Sequence, residues 1–273
     1  MSTITKTFIP IDEDESDDDS FNYPNTSISL KECSKLSIHG VEVHNVSRDE
    51  AVALVLELTQ KKDRFHHVLF LDPIRLLRVK KGQKLNRIPK KASLVIPSED
   101  GYQWVSAKTG EHFKEKISII GLITDILRYA EKNNLTVFFL GSTEKVIEKL
   151  YSNLAKHFPK LRIVGRHSAQ ISKQRELMVK EAIRKTEPDI LFLGMDFPKQ
   201  EIWIENNQSF FTKSVVVGTW DTFEILAGEK RIPDYFQLRG LNWLWYIITH
   251  PWNIANIYRA IYFYLWAKLG KAS

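Results

Sequence analysis

The stretch formed by residues 189–204 constrains the fold of this chain more than any other. Its first part, Ile190–Leu193, is an apolar run short enough for a buried parallel strand, and Gly194 ends it. Pro198 then stands where a helix is expected to begin. The polar residues of the expected first helical turn are Lys199, Gln200 and Glu201. The pattern predicts a strand, a tight turn and a helix N-terminus.

This arrangement is one that α/β proteins use to bind phosphate-bearing ligands, because free backbone N–H groups and the helix dipole both favour an anion. Lys199 adds a mobile positive charge, and the amide of Gln200 is suited to a sugar hydroxyl or a base edge. An ordinary βα turn with a solvated polar first turn is the other interpretation.

Apolar runs of strand length also occur elsewhere, and helical patterns separate most of them. These runs are residues 67–71, 93–96, 135–140, 161–165 and 215–219. The alternation predicts an α/β fold with a Rossmann-like, mostly parallel sheet in a three-layer sandwich. Polar residues at the carboxyl ends of parallel strands are expected to lie along one edge. The residues that should gather there are Asp72, Asp100, Ser142, Gln200 and Asp221.

Three of the strand ends allow more than one interpretation. Asp72 is either a ligand contact or the cap of a helix that starts at Pro73. Glu99 and Asp100 are adjacent carboxylates at a strand end, a place for a general base, or they form a solvated acidic turn. Gly101 lets the backbone turn sharply or approach a ligand. Gly141 is followed by Ser142 or Thr143 as the cap of the next helix. The first N–H groups of that helix offer a second phosphate-binding site.

The chain divides into three segments by composition. Residues 1–30 are an acidic tail that we predict to be disordered, and residues 36–230 carry the α/β pattern. Residues 231–273 are rich in aromatic and basic side chains and predict a helical appendage. Such a segment is typical of helices that lie in the headgroup region of an anionic membrane. The other interpretation is a helical hairpin that packs on the domain or in an oligomer interface.

Composition and missing motifs argue against several classes of function. The 273 residues carry a net charge of +6, with no nucleic-acid-binding motif. The single cysteine, Cys33, excludes an internal disulfide and fits a reducing compartment. No signal peptide and no spanning stretch are recognised, so we expect a cytoplasmic protein that contacts the membrane surface. A Rossmann-type dehydrogenase is disfavoured, because no G-x-G-x-x-G follows any strand.

Several ordered motifs resemble the WecG/TagA/CpsF glycosyltransferases (glycosyltransferase family 26) over about residues 36–260. The most specific is Phe197–Trp203, which is similar to the family's G-x-P-K-Q-E-x-W signature. Leu71–Pro73 resembles T-L-N-P, and Leu94–Pro97 with Asp100–Gly101 resembles P-D-G. Gly218–Asp221 resembles G-G-x-F-D.

The resemblance implies sugar transfer from a nucleotide-diphosphate sugar to a membrane-bound lipid diphosphate sugar. It implies that the configuration at the anomeric carbon is inverted and that no metal or cofactor is required. It also implies that Asp100 is the base and that Gln200 contacts the donor. The C-terminal segment matches the family's membrane-associating appendage. The chain departs from the family pattern at Phe70 and Asp72, which replace threonine and asparagine, and at Lys116, which replaces arginine. An inserted pair of residues lets Glu99 compete for the base role.

The resulting prediction is a transferase of bacterial cell-surface polysaccharide synthesis at the inner face of the cell membrane. Its donor is a UDP-sugar, its transferred sugar is an N-acetylhexosamine or a hexose, and its acceptor is linked to a polyprenyl diphosphate. The sequence leaves open whether the protein forms a homo-oligomer. The alternative is a catalytically inactive relative that binds a nucleotide sugar or a partner. The donor residues are Asp72, Gly101, Lys116, Gly141, Ser142, Lys199, Gln200, Glu201 and Asp221. The acceptor-diphosphate residues are Arg231, Arg239 and Arg259.

Overall fold

A computed structural model describes residues 28–81, 84–98, 102, 105, 112–170, 172–233, 235–236 and 242–269. Its strands are β1 (Lys35–Ile38), β2 (Val41–His44), β3 (His66–Leu71), β4 (Leu94–Pro97), β5 (Thr136–Gly141), β6 (Arg162–His167), β7 (Ile190–Gly194) and β8 (Val215–Gly218). Its α-helices are α1 (Arg48–Gln60), α2 (Pro73–Lys81), α3 (Ile88–Lys91), α4 (Ile119–Lys132), α5 (Glu144–His157), α6 (Lys173–Thr186), α7 (Lys199–Asn206), α8 (Thr222–Leu226), α9 (Asn242–Thr249) and α10 (Ile254–Leu269). Short 3-10 helices follow α2 and α7, at Leu85–Arg87 and Gln208–Phe210.

Six strands form one sheet in the order β4-β3-β8-β7-β5-β6, and every neighbouring pair is parallel. The predicted parallel α/β sheet is therefore confirmed. The central strands are buried along their whole length, as their continuous apolar runs require. All their carboxyl ends consequently lie along the same edge.

Helices cover both faces of this sheet. On β7, Ile190 and Phe192 belong to one apolar cluster, whereas Leu191 and Leu193 belong to another. Alternate strand residues point to opposite faces, so each face has its own core. The first cluster includes residues of α1, α4 and α5, and the second includes residues of α6 and α7. This is the predicted three-layer sandwich.

The N-terminal elements follow the sequence pattern closely. β1 and β2 form an antiparallel hairpin around Gly40, whose φ of 78° favours glycine. Ser47 and Glu50 form the predicted capping box of α1, in which each side chain accepts a hydrogen bond from the other's backbone N–H. Thr143, rather than Ser142, is the cap of α5. Most of the acidic tail, up to residue 27, lies outside the described residues.

The C-terminal helix α10 packs on α2 and on the β1–β2 turn. Phe263 is 1% exposed, and the Trp266 ring lies 3.8 Å from the His39 ring, centroid to centroid. A different set of large apolar residues on and before α10 faces outward. These are Trp252, Ile254, Tyr258, Ile261, Tyr262 and Leu265. Within the described ranges, none of the helices combines the length and apolarity that crossing a bilayer demands.

Candidate active site

The loops after β3, β5, β7 and β8 meet at the carboxyl edge of the sheet, because these strands are parallel neighbours. This edge carries most of the predicted site residues that the structure describes. They are Asp72 after β3, Gly141 and Ser142 at the end of β5, Lys199, Gln200 and Glu201 after β7, and Asp221 after β8. Glu99, Asp100, Gly101 and Arg239 lie outside the described residues. Lys116 is exposed and precedes Ile117, which forms a bridge with Ser98 just beyond β4.

Asp72 acts as the cap of α2, one of its two predicted roles. Its Oδ1 accepts a hydrogen bond of 2.7 Å from the backbone N–H of Arg75, and its Oδ2 pairs with the Arg75 guanidinium. The guanidinium also lies 3.7 Å above the centre of the Trp220 ring, just past β8. Asp72 and Arg75 therefore tie the end of β3 to the end of β8.

Gln200 has protein partners on both sides of its amide. Its side chain is fully buried, and its Oε1 accepts hydrogen bonds from the backbone N–H groups of Met195, at 3.4 Å, and Trp220, at 3.3 Å. Its Nε2 donates to Glu201 Oε1 at 2.9 Å. In this structure Gln200 connects the loops after β7 and β8. Lys199, in contrast, is exposed in the same helical turn.

A glycine makes room for this amide. A Cβ on Gly218 would lie closer than 3.0 Å to Gln200 Nε2, a separation that real side chains do not show. Gly141 has a similar packing reason, because its Cβ would collide with the backbone of Gly194 on the neighbouring strand. Both glycines let adjacent strand ends approach closely.

Glu201 is buried beside a histidine of β3. Its side chain is 0% exposed and that of His67 is 6% exposed, with Glu201 Oε2 and His67 Nε2 3.1 Å apart. Neither of these two atoms has a hydrogen-bond partner among the described residues. The polar network of the first α7 turn thus points into the fold and fixes the turn's orientation.

Ser142 and Glu224 form a second polar contact at the edge. Ser142 has a φ of 52°, and its Oγ donates to Glu224 Oε1 at 2.6 Å. Glu224 Oε2 is buried and has no hydrogen-bond partner among the described residues. Burial raises the pKa of Glu224, although the Ser142 hydrogen bond opposes the shift. Glu224 follows Asp221 by three residues and was not predicted as a site residue.

Asp221 carries an accessible carboxylate next to that pair. Its side chain is 44% exposed and forms an ion pair with Lys230. Desolvation alone would raise the pKa of Asp221, but the charges of Lys230 and Arg75 hold it below its usual value. The edge therefore holds one carboxyl group whose pKa is lowered, that of Asp221, and one whose pKa is raised, that of Glu224.

The predicted acceptor arginines are separated in the structure. Arg231 is exposed in the segment after α8, whereas Arg259 lies half-buried on α10, where its Nη1 donates to Asn256 Oδ1 at 2.8 Å. Arg78 of α2 was not predicted, and its guanidinium lies 4.8 Å above the centre of the Phe197 ring. A basic side chain on an amphipathic helix gives no sequence signal for such a contact.

The fold and this edge define a Rossmann-like α/β protein with a polar site at the carboxyl ends of its strands. Residues 36–272 match the sequence profile described as "Glycosyl transferase WecG/TagA/CpsF family". This chain belongs to the WecG/TagA/CpsF family, as its motifs predicted.

Two relatives carry the name N-acetylglucosaminyldiphosphoundecaprenol N-acetyl-beta-D-mannosaminyltransferase. One, from Staphylococcus aureus, is 30% identical over 182 residues, which make up 66% of this chain and 70% of the relative. The other, from Bacillus spizizenii, is 29% identical over 161 residues, or 59% of this chain. The match spans 62% of the Bacillus protein's length.

Proposed function

We propose that this protein is a glycosyltransferase of bacterial cell-surface polysaccharide synthesis. It moves an N-acetylhexosamine or hexose from a UDP-sugar to a sugar on a polyprenyl diphosphate. The main support is the family match over residues 36–272, together with the polar side chains that gather at one edge of the sheet. The name of these two relatives describes a sugar transfer to an undecaprenol-diphosphate-linked acceptor, which is the same class of reaction.

Asp100 is our proposed base. The residues that flank it are held at the end of β3, since the Ser98 N–H and the Tyr102 hydroxyl both donate to the Leu71 carbonyl, at 2.9 and 2.8 Å. The Asp100 carboxylate takes the proton of the acceptor hydroxyl as that oxygen attacks the anomeric carbon. The bond from this carbon to the nucleotide diphosphate breaks, and attack from the opposite face inverts the configuration. Glu99 is the competing base.

The donor's diphosphate is proposed to bind near the start of α7. Lys199 is exposed there, and the backbone N–H groups of Lys199 and Glu201 favour an anion, while that of Gln200 already donates to the Asp196 carbonyl at 3.1 Å. These groups would stabilise the charge that develops on the leaving diphosphate, without a required metal. Gln200 is assigned a positioning role, because its amide holds the loops after β7 and β8. Ser142 and Asp221 offer polar contacts to the nucleotide or its sugar.

The segment after residue 230 is proposed to bring the site to the inner face of the cell membrane. Trp252 and Ile254 are each 74% exposed, and Tyr258 is 60% exposed. Aromatic side chains at a protein surface partition into the headgroup region of a bilayer. A lipid-linked acceptor would then enter the site from the membrane while the UDP-sugar enters from the cytoplasm.

Thermal-shift titration with UDP, GDP and their common sugars tests the donor site. A UDP-sugar should raise the melting temperature of the wild type, because a ligand that binds only the folded state stabilises it. The shift should weaken in Gln200→Ala and persist in Gln208→Ala, a matched control in the 3-10 helix after α7. If no nucleotide shifts either protein, with or without anionic vesicles, the proposed donor site is wrong.

A further inference from the structure

Three arginines lie on two helices that pack against each other beside the carboxyl ends of the central strands. Arg75 and Arg78 are one turn apart on α2, and α2 packs against α10, which carries Arg259. Arg75 lies over Trp220, which follows β8, and Arg78 lies over Phe197, which follows β7. The guanidiniums of α2 therefore reach across the carboxyl edge from the side that α10 covers.

The positive charge of this cluster is only partly balanced. Asp72 is already engaged by Arg75, whose backbone N–H donates to Oδ1 and whose guanidinium pairs with Oδ2. In the part of the chain that the structure describes, no carboxylate forms an ion pair with Arg78 or Arg259. Burial, and then the positive charges of Arg259 and Arg75, lower the pKa of Arg78, although the charge of Asp72 opposes the shift. Holding like charges together in this way costs stability unless an anion joins them.

We propose that Arg78 and Arg259 together form an anion site for the diphosphate of the lipid-linked acceptor. This inference rests on the proposed function and adds Arg78, together with the α2–α10 contact, to the acceptor site. Arg78 is a binding residue here, held over the Phe197 ring so that its N–H groups can meet a phosphate oxygen. Arg75 supports the positive potential, while its own side chain stays paired with Asp72.

The surroundings favour a lipid-linked diphosphate over the soluble donor. Arg259 is flanked on α10 by the outward-facing Tyr258, and Ile261 and Tyr262 follow within one turn. An acceptor anchored in the bilayer would keep its chain beside this apolar surface while its diphosphate reaches the two arginines. The donor's diphosphate, in contrast, has the N-terminus of α7 and Lys199 available. The two diphosphates would then flank the reacting sugars.

Binding measurements on single and double variants test the site. The probe is a water-soluble short-chain prenyl diphosphate that carries N-acetylglucosamine, titrated calorimetrically into wild type, Arg78→Gln, Arg259→Gln and the double variant. Each single variant should bind about tenfold more weakly, and the double variant should lose less than the product of the two, because both groups hold the same diphosphate. Arg78→Lys should recover part of the affinity. Arg64→Gln, at an exposed position before β3, is the control for net charge.

The same variants separate binding from folding. Arg78→Gln should leave the melting temperature unchanged or raise it, since it relieves repulsion among the arginines. A purely structural role for Arg78 would lower the melting temperature, with no effect on binding beyond that of Arg64→Gln, and would overturn the proposal. Loss of UDP binding in Arg78→Gln would assign the site to the donor and also overturn it. Weaker adsorption to phosphatidylglycerol vesicles with unchanged probe binding would instead identify a lipid headgroup site, which contradicts the proposal as well.

This design also distinguishes the inference from the proposed function. If wild type binds the probe but transfers no sugar to it, the acceptor site stands and the transferase proposal fails. If wild type transfers sugar and Arg78→Gln does so with an unchanged KM for the acceptor, the transferase proposal stands and the role of Arg78 is refuted. The predicted result is a KM for the acceptor raised about tenfold, with the KM for the UDP-sugar within about twofold of wild type.

Discussion

At the scale of single residues, the site depends on side chains that hold backbone in place as much as on those that face solvent. Gln200 lies in the most recognisable motif of the chain, yet its amide is buried and binds Met195 and Trp220. Ser142 keeps a left-handed backbone conformation and bonds Glu224 across the edge. Substitutions at such positions should therefore affect the loops and the ligand together.

Gly218→Ala should disturb the Gln200 amide directly. The added Cβ would lie closer than 3.0 Å to Gln200 Nε2, and overpacking of this kind costs about 1–3 kcal/mol. Denaturant unfolding should show this loss, and the thermal shift with UDP-sugar should shrink. Gly121→Ala is the control, because its Cβ meets only the end of the Arg48 side chain and alanine favours the helix. Equal stability losses in both variants would contradict this explanation.

Glu224→Gln should change how stability depends on pH. The raised pKa of Glu224 means that the folded state binds this proton more tightly than the unfolded state. Its contribution to stability is therefore largest at low pH and falls as the pH rises from the unfolded pKa, about 4.3, through the folded one. The substituted amide would mimic the protonated carboxyl group and still accept the Ser142 hydrogen bond. We expect the variant to be more stable than wild type at neutral pH, by about 1 kcal/mol.

Glu229 supplies the control with the opposite sign. Lys149 and Lys145 lower the pKa of Glu229, so its contribution is present above the unfolded pKa and is lost as the pH falls. Urea unfolding at a series of pH values from strongly acidic to weakly basic should show opposite trends relative to wild type. Glu229→Gln should lose relative stability as the pH rises towards about 4.3, and Glu224→Gln should gain it as the pH rises above about 4.3. Parallel pH profiles for wild type and Glu224→Gln would show that burial does not perturb Glu224.

At the scale of elements, the contact between α2 and α10 joins the C-terminal segment to the sheet. One side of α10 is buried, with Ala260, Phe263 and Ala267 all less than 9% exposed, while Ile261 on another side is 48% exposed. The helix therefore docks on the domain and presents a second apolar surface outward. Packing on the domain, one of the interpretations that the sequence left open, is therefore confirmed, and contact of the outward surface with a membrane stays a prediction.

Phe263→Ala should detach α10. The ring contacts His39 and Trp266 and is fully buried, so its removal should cost about 3 kcal/mol and expose the helix to limited proteolysis. Ile261→Ala should change stability by less than about 0.5 kcal/mol, because that side chain is half exposed. A protease-resistant α10 in Phe263→Ala would contradict docking through this face. In the acceptor assay, Phe263→Ala should behave like Arg259→Gln.

At the scale of the whole molecule, local signals in the sequence predicted the architecture and long-range contacts completed it. Continuous apolar runs and Gly or Pro turns predicted the parallel sheet, and the box formed by Ser47 and Glu50 was readable from its spacing. The strand order, in contrast, depends on which helices cover which face. No local pattern therefore predicts the contact between β3 and β8.

The site was predictable in its position and less so in its details. The strand ends identified the edge, because parallel strands must bring their carboxyl ends together. The burial of Gln200 depends on Trp220, twenty residues away, and Glu224 meets Ser142 from eighty-two residues away. The position of Arg78 over Phe197 likewise arises only when α2 and the loop after β7 pack together. Contacts of this range have no local sequence signature.

The measurement that tests the central claim most directly is sugar transfer by wild type and Asp100→Asn on vesicles that contain the polyprenyl-diphosphate-linked acceptor. Mass spectrometry of the extracted lipid should show one added sugar with wild type, and roughly a hundredfold less product with Asp100→Asn, because the base is removed. UDP-sugar binding should be unchanged in that variant, and Glu99→Gln should retain activity. Full activity in Asp100→Asn, or no product with wild type and any UDP-sugar, would contradict the account.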